Sequence, residues 1–298
     1  MDPRGDRDAR EADGRRSVLE TGPRDLANPA HALQPLLSHA FRSPPMLAGH
    51  QNVVQLVAHH ESPEAITLVL QLCRGGSLVN TMVEAADGGF PLPEPTVRAA
   101  FKQLLSALSF CAGLGVYHRD VKLANGCWVD AERSWLVLTD FGFASTSPTH
   151  SVYAGSAHFA APEVHACDDA DANAALISLE ELMSMRASQP CSSASADRAA
   201  AASGTGGDRP SYSAAQADVW SAGVVLYTLL ASALPFGGDE DTAEQRAALR
   251  AKVTTGQWDA PLLRPKAVKD LAKRMLTVDP AARITLEQAC AHDWMRIS

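Results

Sequence analysis

One short run of residues constrains this chain more than any other feature. The run Tyr117–Asn125 reads YHRDVKLAN. The last six residues of this run include an acid (Asp120), a cation (Lys122) and an amide (Asn125). Fifteen residues beyond the amide comes a further acid, Asp140, after a segment that reads as two short strands joined by a turn. A fold that brings these four side chains together must therefore place the loop beside the end of the strand pair.

These residue types suit the transfer of a phosphoryl group from a nucleotide. Such a reaction needs an acceptor for the attacking hydroxyl, hard oxygen ligands for Mg²⁺ and a cation on the moving phosphate. Asp120 can orient the hydroxyl, and Lys122 can reach the γ-phosphate from the same loop. Asn125 and Asp140 supply a neutral and an anionic oxygen ligand for magnesium.

The motifs resemble those of the eukaryotic protein kinase family. Tyr117–Asn125 is similar to its catalytic loop, Asp140–Gly142 to its DFG tripeptide and Ala161–Glu163 to its APE tripeptide. Five more runs resemble family motifs in the family's order: His50–Val54, the hinge-like Gln71–Leu78, Asp218–Val224, Asp279–Ile284 and His292–Trp294. Because so many motifs occur in the right order, a chance match is negligible.

The resemblance implies an α+β, protein-kinase-like fold, with a mostly helical large lobe and a truncated β small lobe of two or three strands. Residues 1–27 carry mixed charge with almost no apolar periodicity and are expected to be disordered. The truncated small lobe is placed at 28–73 and the large lobe at 74–298. A low-complexity insertion, rich in Ala, Ser and Gly towards its end, is placed at about 166–213.

Periodicity predicts several elements. Val53–Val57 and Ile66–Leu72 read as paired strands, and the polar stretch between them, including His59 and His60, reads as a solvated turn. Helices are predicted over 97–111, from Asp218, and over about 265–276 and 285–296. The stretch Val219–Gly238 is uncharged and of spanning length, but its Ser, Thr and Pro residues favour a buried core helix over a membrane span.

The resemblance also implies roles for individual residues. Asp120 is the expected catalytic base, and Lys122 is the lysine typical of Ser/Thr kinases. Mg²⁺ would bind Asn125 and Asp140. The expected ATP-binding residues are Leu70 as gatekeeper, Gln71 and Cys73 through their backbones, Cys127 beneath the adenine, and the two magnesium ligands Asn125 and Asp140.

Other residues are expected to position these groups. Ser156 stands where Ser/Thr kinases usually carry a threonine near the substrate. Arg119 is expected to bind a phosphorylated activation segment, which implies an upstream kinase as a partner beside the protein substrate. Glu163 and Arg283 are expected to form a buried ion pair. Asp218 is expected to hydrogen-bond the catalytic-loop backbone.

The family's small lobe also carries a glycine-rich loop and a lysine paired with a glutamate. The first lysine of this chain is Lys102, no GxGxxG precedes His50, and no acid lies between Leu26 and Gly49. We therefore interpret the chain as a Ser/Thr kinase domain incomplete at its N-terminus, with weak ATP binding. A pseudokinase that acts as a binding or scaffold module is the alternative, and a small-molecule phosphotransferase with a kinase-like fold is the weakest interpretation.

Composition excludes other classes. The net charge of −8 argues against a dedicated nucleic-acid binder, which needs a basic face. The six cysteines show no CxxC spacing, so free thiols in a reducing compartment are expected rather than a zinc site or a disulfide framework. No secretory or transit signal is recognised at the N-terminus. The sequence predicts a cytoplasmic protein, with the nucleus as the alternative, and no membrane partner.

Overall fold

The computed structural model describes residues 18–19, 49–62, 66–88, 92–167, 210–237, 242–258, 263 and 266–297. The predicted insertion, apart from its two ends, and almost all of the predicted N-terminal segment lie outside these residues. The strands are β1 (Val18–Leu19), β2 (Leu56–Glu61), β3 (Ile66–Leu70), β4 (Gly76–Ser77), β5 (Gly126–Trp128), β6 (Leu136–Leu138), β7 (Thr149–His150) and β8 (Tyr212–Ser213). The helices are α1 (Leu78–Gly88), α2 (Glu94–Gly113), α3 (Pro162–His165), α4 (Ala214–Ala231), α5 (Ala243–Thr255), α6 (Lys266–Met275), α7 (Leu286–Cys290) and α8 (Asp293–Arg296).

The smaller lobe contains one antiparallel sheet in the order β1-β3-β2 among the described residues. The prediction of a small lobe with two or three strands matches this part of the chain. Val18–Leu19 lies within the segment predicted to be disordered, and that prediction is wrong at these two residues. Their backbone pairs with Leu68 and Val69, a long-range contact that local composition cannot signal.

The predicted position of β2 is also wrong. Val53 and Val54 precede the strand and are buried, and the Val54 N–H donates to the Leu138 carbonyl at 3.0 Å. The strand instead includes His59 and His60, which were predicted to form a turn. Both histidines are exposed, because this end of the sheet is open to solvent, where polar side chains are tolerated in an antiparallel strand.

The larger lobe is built around two long helices. The predicted apolar stripe of α2 is buried, with Phe101 and Leu105 fully so. Helix α4 is buried on nearly every face, from Ala217 to Leu229. By length and composition α4 could cross a membrane, but most of it lies inside the protein, which is the burial expected of a core helix.

The helical lobe differs from the sequence predictions in some of its shorter helices. The single helix predicted at 285–296 is two helices, because Thr285 caps the start of α7 and the His292 side chain accepts the N–H of Trp294 at the start of α8. Helix α5 was not predicted. It buries only Leu249 and Val253, so the apolar residues of its sequence show little helical periodicity. The combination of helices with small antiparallel sheets agrees with the predicted α+β class.

Candidate active site

A buried acid on α4 shapes the loop that carries the predicted catalytic residues. The Asp218 carboxylate accepts the backbone N–H of His118 at 2.8 Å and of Arg119 at 2.7 Å. Burial raises the pKa of Asp218, and the charge of His118 and these two donors oppose the rise. Arg119 has a φ of 65°, a left-handed conformation that costs energy outside glycine. The two bonds to Asp218 hold the loop in this turn, as predicted for that residue.

Asp120 lies at the centre of a buried polar network. Its Oδ2 accepts Lys122 Nζ at 2.6 Å. Its Oδ1 accepts the Ser156 N–H at 3.0 Å and the Ser156 hydroxyl at 2.9 Å. Lys122 Nζ also donates to Ser156 Oγ at 3.1 Å. The structure thus joins the predicted base, the predicted cation and the predicted substrate-side hydroxyl residue in one closed network.

The two predicted magnesium ligands are brought together by strand pairing. The Thr139 N–H donates to the Asn125 carbonyl at 2.8 Å, so Asp140 follows directly beside Asn125. Asn125 Nδ2 donates to the Asp120 carbonyl at 2.9 Å, and within the described residues no hydrogen bond engages the Asn125 amide oxygen. Asp140 is exposed, with Oδ1 accepting the Gly142 N–H at 3.3 Å.

This donor set fits magnesium. Mg²⁺ prefers one or two protein oxygen ligands and takes the rest of its shell from phosphates and water. The amide oxygen of Asn125 and the second carboxylate oxygen of Asp140 are oxygen atoms that could serve as such ligands. The described part of the chain holds no cluster of three or more His, Cys, Asp or Glu residues suited to a metal, so a site made entirely of such side chains is not formed there.

The predicted adenine-site residues lie at the junction of the two lobes. Leu70 ends β3, and Leu70, Cys73 and Cys127 pack against the main core. The Gln71 N–H is used, since it donates to the Gln55 carbonyl at 2.8 Å. No backbone hydrogen bond uses the N–H or carbonyl of Cys73 in the part of the chain that the structure describes. The backbone of Cys73 can therefore meet the polar edge of a purine, whereas Gln71 has only its carbonyl to offer.

The thiols of Cys73 and Cys127 have hydrogen-bonding partners close by. Cys73 Sγ lies 3.9 Å from the Gln71 carbonyl, and Cys127 Sγ lies 3.6 Å from the Ala124 carbonyl and 3.8 Å from Thr139 Oγ1. The influence of the Cys73 thiol and of Thr139, against the effect of burial, lowers the pKa of Cys127 to about 7. The influence of Cys127, together with burial, raises the pKa of Cys73.

The structure adds Tyr212, a partner of Arg119 that sequence reasoning missed. Arg119 Nη2 donates to the Tyr212 hydroxyl at 3.0 Å, and that hydroxyl donates to the Val152 carbonyl at 3.1 Å. Strand β8 pairs Tyr212 with His150 of the activation segment. Burial raises the pKa of Tyr212 and the charge of Arg119 opposes it. Because Tyr212 lies more than ninety residues from Arg119 along the chain, no local pattern could have revealed the contact.

The predicted ion pair closes the far end of the activation segment. Arg283 donates to both carboxylate oxygens of Glu163, at 2.6 and 2.9 Å. The Arg283 side chain is fully buried, lies over the Trp220 ring at 5.0 Å and also donates to the Gln216 carbonyl at 2.7 Å. The bidentate geometry ties α3 to the C-terminal part of the lobe.

Comparison with known proteins decides the family. The model of the protein kinase domain matches residues 45–193 and 208–295. The chain belongs to the protein kinase family. It is 33% identical over 254 residues to the serine/threonine-protein kinase PEPKR2 of Arabidopsis thaliana, covering 84% of this chain and 43% of that protein. It is 30% identical to rice calcium-dependent protein kinase 15 over 254 residues, covering 84% of this chain and 38% of the relative.

A third relative is CBL-interacting protein kinase 20 of rice, which is 30% identical over 261 residues, 84% of this chain and 45% of the relative. The chain of this kinase family member thus spans less than half the length of these curated relatives. The matched region contains every predicted catalytic, metal-binding and adenine-site residue.

Proposed function

We propose that this kinase domain transfers the γ-phosphoryl group of ATP to serine or threonine hydroxyls of proteins. The network of Asp120, Lys122 and Ser156 is the observation that carries the proposal. It places a buried carboxylate acceptor and a cation on one loop, within hydrogen-bonding distance of each other. The relative PEPKR2, which is named a serine/threonine-protein kinase, supports the same substrate class.

In the proposed reaction, Asp120 accepts a hydrogen bond from the substrate hydroxyl and orients its oxygen towards the γ-phosphorus. The Ser156 hydroxyl donates to Oδ1 of Asp120, and a substrate hydroxyl would approach the carboxylate from the same side. Lys122 lies beside Asp120 and offsets negative charge on the transferring phosphoryl group. The carboxylate of Asp120 then takes up the proton that the substrate hydroxyl loses.

Magnesium, when bound, would offset the negative charge of the phosphates. Asn125 and Asp140 would hold it through their side-chain oxygens. The buried bond from Asn125 Nδ2 to the Asp120 carbonyl fixes the orientation of that amide. The same bond links the proposed metal ligand to the proposed base, so the two are positioned as one unit.

The Asp120→Asn variant tests the proposal. We expect phosphorylation of a generic Ser/Thr peptide, measured with radiolabelled ATP at millimolar concentration, to fall by about 10²–10⁴-fold, the usual contribution of general acid–base catalysis. Glu132→Gln is the control, because Glu132 is an exposed acid of the β5–β6 turn. Equal activity of Asp120→Asn and the parent chain, or no phosphoryl transfer by the parent, would contradict the proposal.

A further inference from the structure

The Tyr212 hydroxyl connects the catalytic loop to the activation segment, residues 140–163. It accepts a hydrogen bond from Arg119 Nη2 at 3.0 Å and donates one to the Val152 carbonyl at 3.1 Å. Arg119 directly precedes the proposed base Asp120, and Val152 lies within the activation segment. A neutral side chain thus bonds the guanidinium whose predicted partner is a phosphate.

Arg119 also reaches the start of the activation segment. Its Nη1 donates to the Phe143 carbonyl at 3.4 Å. Two residues further on, Ser145 and Tyr117 exchange both of their backbone hydrogen bonds at 2.9 Å. Both terminal nitrogens of Arg119 therefore have partners within the protein, and neither partner is a phosphate.

Tyr212 is itself held firmly by its surroundings. It is 4% exposed and belongs to an apolar cluster that includes Val164 and Trp220. Its strand β8 pairs with β7 of the activation segment, and the Ala214 N–H extends this ladder by donating to the Pro148 carbonyl at 3.0 Å. Because packing and strand pairing restrict the ring, its hydroxyl is presented to Arg119 and the activation segment at a fixed point.

The activation segment contacts the proposed base shortly after Val152. Gly155 has a φ of 99°, and a Cβ there would lie 2.5 Å from the Arg119 carbonyl oxygen, so the segment passes directly against the catalytic loop. The next residue, Ser156, donates its N–H to Asp120 Oδ1 at 3.0 Å. A shift of the backbone at Val152 would therefore move the residues that touch Asp120.

We propose that Tyr212 is a positioning residue that keeps the activation segment in its catalytic arrangement without a phosphate. A hydroxyl can accept from a guanidinium and donate to a carbonyl at the same time. A fully ionised phosphate only accepts, so it could not replace the bond to the Val152 carbonyl. The inference rests on the proposed kinase function, and it makes the order of the segment independent of the upstream kinase that the sequence predicts.

Hydrogen exchange in the whole chain tests the proposal without any activity. The protein is treated with a protein phosphatase, mass spectrometry verifies that residues 140–163 carry no phosphate, and exchange is followed in peptides that cover 149–156. We expect these amides to exchange more slowly than an unstructured peptide of the same sequence, because the β7–β8 ladder and the Ser156 N–H are bonded. Exchange at the unstructured rate, or protection confined to phosphorylated protein, would overturn the proposal.

Tyr212→Phe removes the hydroxyl alone and should make the amides of 149–156 exchange several-fold faster. Tyr227→Phe is the matched control, because it removes another buried tyrosine hydroxyl, from a ring that packs against Trp258. It should leave exchange in 149–156 unchanged. Exchange in Tyr212→Phe equal to that of the parent would contradict the role of Tyr212.

Arg119→Ala removes the donor to the same hydroxyl and should also speed exchange in 149–156. Because the two residues act through one bond, the double variant with Tyr212→Phe should exchange no faster than the faster single variant. Thermal unfolding checks that each variant is folded, and Arg119→Ala decides the point if Tyr212→Phe is not. Additive effects of the two substitutions would show that Tyr212 acts without Arg119.

Steady-state kinetics separates this proposal from the proposed function. In Tyr212→Phe, kcat/KM for a generic Ser/Thr peptide should fall about tenfold, the effect of one hydrogen bond to a charged group. The loss should lie mainly in a higher KM for the peptide, with the KM for ATP unchanged. Partial unfolding would instead lower kcat and change neither KM, and that result would contradict a positioning role.

The two proposals fail in different ways. A protected, unphosphorylated segment in a protein without kinase activity would contradict the proposed function alone. An active parent with an equally active Tyr212→Phe variant would contradict the role of Tyr212 alone.

Discussion

At the scale of single residues, buried charges in this protein are compensated by bonds with defined geometry. Asp120, Asp218 and Arg283 each carry a buried or nearly buried charge, and each makes several hydrogen bonds to charged groups or to the backbone. Such groups are costly to bury alone, so removal of one partner costs more than the pair contributes in the intact protein.

Glu163→Gln should lower the free energy of unfolding by about 3–5 kcal/mol, because it leaves the fully buried Arg283 without its counter-charge. Urea denaturation at neutral pH measures the effect. Glu84→Gln is the control, since Glu84 pairs with Arg133 at the surface and exposed pairs contribute little. Equal midpoints for the two variants would show that the Glu163–Arg283 pair is not what ties α3 to the lobe.

His150 provides a pH prediction. Burial, and then the nearby charge of Arg119, lower the pKa of His150 below its ordinary value of 6.5. The folded state therefore favours the neutral ring, and the stability that this contributes is present above pH 6.5 and is lost as the pH falls towards the lowered pKa. His150→Gln should lose less stability between pH 7 and pH 5 than the parent. Parallel stability curves for the two proteins would contradict this prediction.

At the scale of elements, the long helices α2 and α4 follow their patterns closely, whereas short elements depend on distant partners. The β7–β8 pair brings Tyr212–Ser213, at the end of the predicted insertion, beside the activation segment, and β2 begins three residues later than its apolar residues suggest. A strand of two residues has no periodicity of its own. Its position is decided by the backbone groups that another segment leaves free.

Close helix packing gives the element-scale prediction. A Cβ at Gly223 of α4 would lie 2.8 Å from the Met275 Cβ of α6. Gly223→Ala should therefore destabilise the protein by about 1–3 kcal/mol, the usual cost of overpacking. Gly113→Ala at the end of α2 is the matched control, because nothing lies within 4 Å of its added Cβ. A Gly223→Ala protein as stable as the Gly113→Ala protein in thermal unfolding would show that the two helices can separate at no cost.

At the scale of the whole molecule, the catalytic loop, the predicted magnesium ligands and the activation segment all belong to the helical lobe. The loop rests on α4 through Asp218, and the activation segment ends on the Glu163–Arg283 pair. The described part of the smaller lobe contributes three strands and the hinge-side residues of the adenine site. Among the described residues, those predicted to bind magnesium and phosphate thus all belong to the larger lobe.

This distribution predicts weak nucleotide binding by the 298-residue chain. Its first lysine is Lys102, so the lysine that kinases use on the α- and β-phosphates has no counterpart before the hinge. Each missing charge-assisted hydrogen bond would contribute about 1.5–3 kcal/mol, or roughly ten- to a hundredfold in affinity. Thermal-shift titration should show no stabilisation at micromolar Mg-ATP. A shift as large as that of a complete kinase domain would show that another cation holds these phosphates.

The sequence by itself determined the kinase-like fold class, the long helices and which residues are candidates for the centre of the site. These features depend on residue types at short, fixed spacing, which a linear chain displays directly. Only the tertiary structure decided that Tyr212 meets Arg119 and that Val18–Leu19 joins the small sheet. Each contact joins segments far apart in sequence. Such contacts form only after the intervening chain has folded, so local periodicity does not indicate them.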